Sequence, residues 1–123
     1  MDLTPNFEPC QIVCLEHNYQ YLYAEIIQVI TSRHKVWVRP LILKQDGEND
    51  CQFWNLQEGA DLVWPLELFR LAFDTEVIPL LTQLSSPTLE KLDHQLAHQH
   101  LRAFVDQVWQ AYPQAFAGVC PPT

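Results

Sequence analysis

Three histidines lie close together toward the end of the chain, at His94, His98 and His100. His94 and His98 are four residues apart, so on a helix they share one face, as a two-histidine metal site requires. The glutamate of a His-Glu-x-x-His zinc motif is missing, because Gln95-Leu96-Ala97 stands between them. We therefore assign no metal ligand and no cofactor, and keep a metal-dependent enzyme using His94 and His98 as a third hypothesis.

Other catalytic patterns are missing from the sequence. There is no Gly-x-Ser-x-Gly nucleophile motif, and the three glycines are too far apart to form a phosphate-binding loop. Asp46, Glu48 and Asp50 surround Gly47, but a calcium loop needs its glycine at the sixth position and glutamate at the twelfth. We predict no catalytic residues, and the sequence argues against an enzyme.

The chain is acidic, with 15 aspartates and glutamates, 7 lysines and arginines, and a formal charge of −8. A negative field repels phosphate at long range, which disfavours general nucleic-acid binding. Yet the segment 31–44 holds four of the basic residues: Arg33, Lys35, Arg39 and Lys44. This segment is either a hairpin whose charges are matched nearby or, in a second hypothesis, a strip that binds single-stranded RNA.

Aromatic residues crowd the first half of the chain, at Tyr19, Tyr21, Tyr23, Trp37, Trp54 and Trp64. Most such rings belong in a core, but a small barrel cannot hold all of them. Rings left outside beside basic residues would form an aromatic and basic face of the kind that binds peptides or stacks on bases. The alternative is that helices cover the rings. The contact candidates are Trp37, Arg39, Trp54, Trp64, Arg70, Arg33 and Lys35.

Residues 9–73 have the composition of β-strands. We place strands at 11–17, 19–30, 36–43, 51–56 and 69–72, and one further short strand that ends at Trp64. The run 19–30 is dense in Tyr, Ile and Val, which favours a strand over the rival helix. Pro40 marks an edge or a bulge. Pro65 and the residues before Phe69 fit one 3₁₀ turn. A strand, a 3₁₀ turn and a second strand follow the long hairpin. This order of elements resembles the closing half of a small SH3-like barrel.

Residues 74–117 have helical patterning. Asp74 or Thr75 fits the N-cap of a first helix that carries Pro79 in about its first turn. Ser86 and Pro87 fit the start of a second helix, which runs to about Tyr112 and stops at Pro113. Its apolar stripe is Leu89, Leu92, Leu96, Ala97, Leu101, Phe104, Val108 and Ala111.

The cysteines and the N-terminus indicate a compartment. No two cysteines form a Cys-x-x-Cys motif, since they lie at Cys10, Cys14, Cys51 and Cys120. The first residues lack the basic and apolar regions of a signal peptide. The apolar runs are only a few residues long, whereas a membrane helix needs about 20. We expect a cytoplasmic protein with reduced thiols and no membrane partner.

Four segments resemble a small uncharacterised family of cyanobacterial proteins. They are Arg39-Pro40-Leu41, Asp61-Leu62-Val63-Trp64-Pro65, Leu68-Phe69-Arg70 and Asp74-Thr75-Glu76-Val77-Ile78-Pro79-Leu80-Leu81. The resemblance implies a cytoplasmic cyanobacterial protein without an established activity, so it carries no functional residues over to this chain.

These observations predict a single α+β domain over residues 1–123. A small, SH3-like, mostly antiparallel β-barrel occupies 9–73, and two helices within 74–117 pack on it. The leading hypothesis for function is a non-enzymatic interaction or adaptor module. It binds a protein partner, or itself as a homo-oligomer, through its aromatic and basic face.

Overall fold

A computed structural model describes residues 7–48, 51–56, 59–84 and 94–115 of the chain. They form six strands, two helices and two 3₁₀ turns. The strands are β1 (Ile12–His17), β2 (Gln20–Ile30), β3 (Lys35–Asp46), β4 (Cys51–Asn55), β5 (Leu62–Pro65) and β6 (Arg70–Leu71). The helices are α1 (Asp74–Leu84) and α2 (His94–Ala111), and the 3₁₀ turns are Thr31–Arg33 and Leu66–Leu68.

All six strands belong to one antiparallel sheet, in the order β4-β3-β2-β1-β6, with β5 also paired to β3. The predicted α+β class is confirmed, and the segment 20–30 is a strand rather than a helix. The 3₁₀ turn between the last two strands is where the sequence placed it. Among the described residues no ladder joins β6 to β5 or β4, so hydrogen bonds leave the sheet open.

A two-residue turn joins β1 to β2. His17 pairs with Gln20, and both residues between them have a left-handed backbone, with φ of 51° at Asn18 and 64° at Tyr19. This is the conformation of a type I′ hairpin, which favours Asn-Gly. Asn18 suits its position, whereas the Cβ of Tyr19 opposes the left-handed conformation.

Replacing Tyr19 with glycine should therefore stabilise the protein. The tyrosine side chain is 75% exposed and contributes little burial, while relief of left-handed strain is worth about 1 kcal/mol. The measurement is the urea midpoint of Tyr19→Gly against the parent chain. Tyr19→Ala keeps a Cβ and is the matched control, so an equal gain in that variant would contradict the explanation.

A bulge in β3 decides which side chains share a face. Tyr23 pairs with Ile42 and Ala24 with Pro40, so Leu41 has no partner on β2. This confirms the irregularity predicted at Pro40. Because strand side chains alternate, one extra residue reverses the parity of all that follow. We call the two sides of the sheet the inner and outer faces.

The inner face carries the main hydrophobic core, and α2 closes it. Val13, Leu22, Ile26, Val38 and Leu43 are fully buried there against α2. The helix contributes Ala97, Leu101, Phe104 and Val108 from the predicted apolar stripe. The helix ends at Ala111, two residues before Pro113, as predicted. The predicted start of this helix at Ser86 and Pro87 lies outside the described residues.

The outer face is covered in part by α1. Leu80 of the helix packs on a smaller cluster of Cys14, Tyr23 and Ile42. The first bonds of the helix run to the carbonyl of Phe73, at 2.8 Å from the Glu76 amide and 3.0 Å from that of Val77. The Phe73 amide donates in turn to Glu76 Oε1 at 2.9 Å. Phe73 is thus the N-cap, one residue before Asp74, where capping had been expected.

Candidate functional site

Three residues form what we call the strip on the outer face of β3: Lys35, Trp37 and Arg39. Their neighbours Val36 and Val38 are buried in the inner core, so alternation turns the strip residues outward. Trp37 is half-buried and Arg39 is exposed. Three of the predicted contact residues are therefore collected on one surface.

Asp61 fixes the strip from the segment before β5. Its Oδ2 accepts a hydrogen bond from Trp37 Nε1 at 2.9 Å, and its Oδ1 accepts from Arg39 Nε at 3.3 Å. Val63 lies opposite Trp37 in the ladder and is 50% exposed. The indole is held in one orientation while the surface around it stays open.

A groove of about 390 Å³ lies farther along the same face, between the sheet and α1. Its floor is a cross-strand row in which Glu16 pairs with Tyr21, Tyr21 with Lys44, and Lys44 with Phe53. Lys44 Nζ lies 5.1 Å from the centre of the Tyr21 ring, within cation–π range. Pro79 and Leu80 of α1 form part of the opposite wall.

Arg70 sits at the end of this groove between two glutamates. Its Nη1 and Nη2 donate to the two carboxylate oxygens of Glu76 at 2.8 and 3.0 Å. Its Nε donates to Glu16 Oε1 at 2.8 Å, and Nη2 contacts the same oxygen. Tyr23 donates its hydroxyl to Glu76 Oε2 at 2.7 Å. The network ties β1, β2, β6 and α1 together.

The titration of these groups follows from their contacts. Hydrogen bonds from Arg70 lower the pKa of Glu76 to about 2. Burial, and then donation to Glu76, raises the pKa of Tyr23. Burial raises the pKa of the Cys14 thiol to about 12, so it is protonated at neutral pH and is a poor nucleophile. These groups hold the groove in shape, with Glu76 charged and Tyr23 and Cys14 neutral.

The remaining predicted contact residues lie elsewhere. Trp54 and Trp64 belong to the inner core, where α2 covers the Trp54 ring with the His100 imidazole, stacked at 3.9 Å. Trp64 is only 7% exposed. Arg70 lies in the groove, and Arg33 lies on the exposed 3₁₀ turn between β2 and β3. The outer face therefore combines Lys35, Trp37 and Arg39 with Arg70.

Two histidines of α2, His98 and His100, are used in packing. His98 faces Gly59, where an added Cβ would meet its Cε1 at 2.5 Å. His100 stacks on Trp54 and lies 3.5 Å from Gln45 Nε2 through its Nδ1. The side chain of His94 lies outside the described part of the chain. Within the described part, no three His, Cys, Asp or Glu side chains are grouped as a metal site requires.

Several residues of the outer face were missed or left unassigned by the sequence analysis. Asp61 lies 24 residues from Trp37 and 22 from Arg39, so no local pattern links it to either. Phe53 had a signal, an aromatic residue in a short strand, but its side of the sheet depends on the bulge at Leu41. Glu76 had a clearer signal as the third residue of α1.

Comparison with family models, curated proteins and solved structures finds no match for this chain. No helix in the described ranges is long and apolar enough to cross a membrane. The geometry of the outer face is therefore the basis on which a function is inferred.

Proposed function

We propose that this protein is a non-enzymatic interaction module that binds a protein partner through its outer face. The observation that carries the proposal is Trp37, an indole fixed by Asp61 at 2.9 Å yet left half-exposed. Interface hot spots are enriched in tryptophan and arginine, and a side chain held in place before binding loses less entropy on association. Arg39 and Lys35 flank this ring on the same strand.

The groove supports the proposal with a second subsite on the same face. Tyr21 and Phe53 offer aromatic surface in a volume of about 390 Å³, and the Lys44 ammonium beside them lies 3.6 Å from Asp46 Oδ1. Arg70 is already matched by Glu16 and Glu76, so an apolar side chain could enter without leaving the guanidinium unpaired. An extended peptide lying over β3 would meet the strip first and the groove next.

The fold within this proposal is an SH3-like barrel. The sheet order β6-β1-β2-β3, with β5 on the far edge of β3, and the single 3₁₀ turn between β5 and β6 support it. That turn makes a short covalent link between the two ends of the sheet. We further place the protein in the cytoplasm, in the cyanobacterial family that its sequence resembles. The free thiols of Cys10 and Cys14 agree with a reducing compartment.

Trp37→Ala should remove partner binding while the fold persists. A hot-spot tryptophan is worth roughly 2 kcal/mol or more, so recovery of the partner should fall by about thirtyfold. The measurement is affinity capture from extract of the native host, quantified by mass spectrometry. The melting temperature should fall by only a few degrees, because Trp37 is half-buried and loses one hydrogen bond.

Trp109→Ala is the matched control, since Trp109 is 37% exposed on α2, away from the outer face. Unchanged capture by Trp37→Ala, or equal loss in both variants, would refute the proposed face. Capture of RNA that declines steeply with salt would instead favour the basic segment 31–44 as a binding site for single-stranded RNA.

A further inference from the structure

Helix α1 separates the strip from the groove on the outer face. On β3, Ile42 lies between Arg39 of the strip and Lys44 of the groove. Ile42 is fully buried and belongs to the cluster on which Leu80 of α1 packs. A chain extended along β3 can therefore touch both subsites only if α1 moves away.

Few side chains hold α1 on the sheet. Among its described side chains only Leu80 is buried, whereas Ile78 is 65% exposed. Pro79 stands inside the helix, where it has no amide to bond the carbonyl of Thr75. A helix of 11 residues is marginal in water by itself. The position of α1 therefore depends on a small contact with the sheet.

The polar contact that closes α1 can break without leaving a buried charge unpaired. Glu76 of α1 accepts hydrogen bonds from Arg70 and from the Tyr23 hydroxyl. When α1 leaves, Arg70 keeps its bond to Glu16 on β1, so the guanidinium remains paired. Glu76 and Tyr23 exchange their hydrogen bonds for bonds to water, at a small net cost. Exposure of the apolar cluster is then the main cost of opening.

We propose that α1 is an autoinhibitory cover, which leaves the outer face when a partner occupies the strip and the groove together. Its departure uncovers Cys14, Tyr23 and Ile42, and these join the two subsites into one surface. The partner replaces Leu80 there, and the population of the open form sets its apparent affinity. The autoinhibitory role rests on the proposed function, whereas the opening itself is a property of the free protein.

Cys14 reports the opening, because its thiol is fully buried in the cluster that Leu80 covers. In a chain whose other three cysteines are serine, the rate of reaction with the thiol reagent DTNB measures how often Cys14 is exposed. Leu80→Ala should raise this rate about tenfold or more, since the buried leucine of the cover is truncated. Ile78→Ala, on the exposed side of the same helix, is the matched control and should leave the rate unchanged.

Urea separates opening of α1 from unfolding of the whole chain. A local opening exposes little surface, so the Cys14 rate should stay nearly constant at low urea and rise steeply only close to the unfolding transition. Leu80→Ala should raise the constant part. A rate that follows global unfolding from zero urea upward, or no acceleration in Leu80→Ala, would overturn the proposal.

Partner capture tests the inhibitory effect. Leu80→Asp puts a carboxylate among the apolar side chains of the closed form and drives α1 off the sheet, whereas Ile78→Asp adds the same charge in solvent. Recovery of the partner that requires Trp37 should rise about fivefold or more in Leu80→Asp and stay unchanged in Ile78→Asp. Recovery that is equal or lower in Leu80→Asp would refute autoinhibition.

The two proposals fail in different ways. If Cys14 stays protected up to global unfolding while Trp37→Ala still loses capture, the cover is refuted and the proposed function stands. If Trp37→Ala keeps its capture, the proposed function is refuted, and the autoinhibitory role of α1 is refuted with it.

Discussion

Phe104→Ala should lower the free energy of unfolding by about 3–5 kcal/mol, the usual cost of truncating a buried phenylalanine. Phe104 is fully buried and belongs to the cluster that joins α2 to the inner face of the sheet. Truncation leaves a cavity where helix and strands meet, so α2 loses its principal anchor. The loss is a large part of the total stability of a domain of this size.

Urea unfolding followed by tryptophan fluorescence measures this effect. Asp106→Ala removes an exposed side chain two residues farther along the same helix and serves as the control. We expect its midpoint to move little. A loss below about 1 kcal/mol in Phe104→Ala would mean that the sheet is stable without the helix, contrary to a main core that α2 and the sheet share.

Glu76→Gln should destabilise the protein at neutral pH and remove part of its acid sensitivity. Glu76 accepts hydrogen bonds from Arg70, from Tyr23 and from the Phe73 amide that caps α1. Loss of the charge weakens all three contacts, which we expect to cost on the order of 1–3 kcal/mol at pH 7. The side chain of Glu76 is 22% exposed, so solvent screens the pair only in part.

The pH dependence has a definite sign. In the folded protein the pKa of Glu76 is about 2, below the ordinary value of 4.5. Its stabilisation is therefore fully present above 4.5 and is lost as the pH falls from 4.5 toward 2. The stability difference between the parent chain and Glu76→Gln should shrink across that window. Glu67→Gln, at an exposed carboxyl, is the control. A difference that stays constant would show that Arg70 does not hold the charged form.

Much of the fold could be predicted because its signals are local. β-branched and aromatic density identified β2, the sequence at Pro65 identified the 3₁₀ turn, and the apolar stripe identified α2. Each depends on the intrinsic preference of a few adjacent residues. The end of α2 before Pro113 follows from the missing amide of proline in the same way.

The composition of the outer face could be predicted only in part, because it depends on register. The sequence marked an irregularity at Pro40, but not that Leu41 would lack a partner on β2. Unless the position of the bulge is known, the sequence does not decide whether Phe53 or Trp54 faces outward. Trp54 was therefore expected as a contact residue, and Phe53 was not. The N-cap at Phe73 was missed because the phenylalanine side chain cannot accept a capping hydrogen bond. The Glu76 carboxylate instead accepts a hydrogen bond from the Phe73 amide.

Photocrosslinking from the strip tests the central claim most directly. A benzophenone side chain at Val63, which lies opposite Trp37 and is 50% exposed, should capture one protein from cells of the native host. The same group at Arg102, exposed on α2, should not capture it. Adding Trp37→Ala should remove the Val63 product. Crosslinking of that protein equally from both positions, or a Val63 product that survives the loss of Trp37, would contradict a binding face centred on this indole.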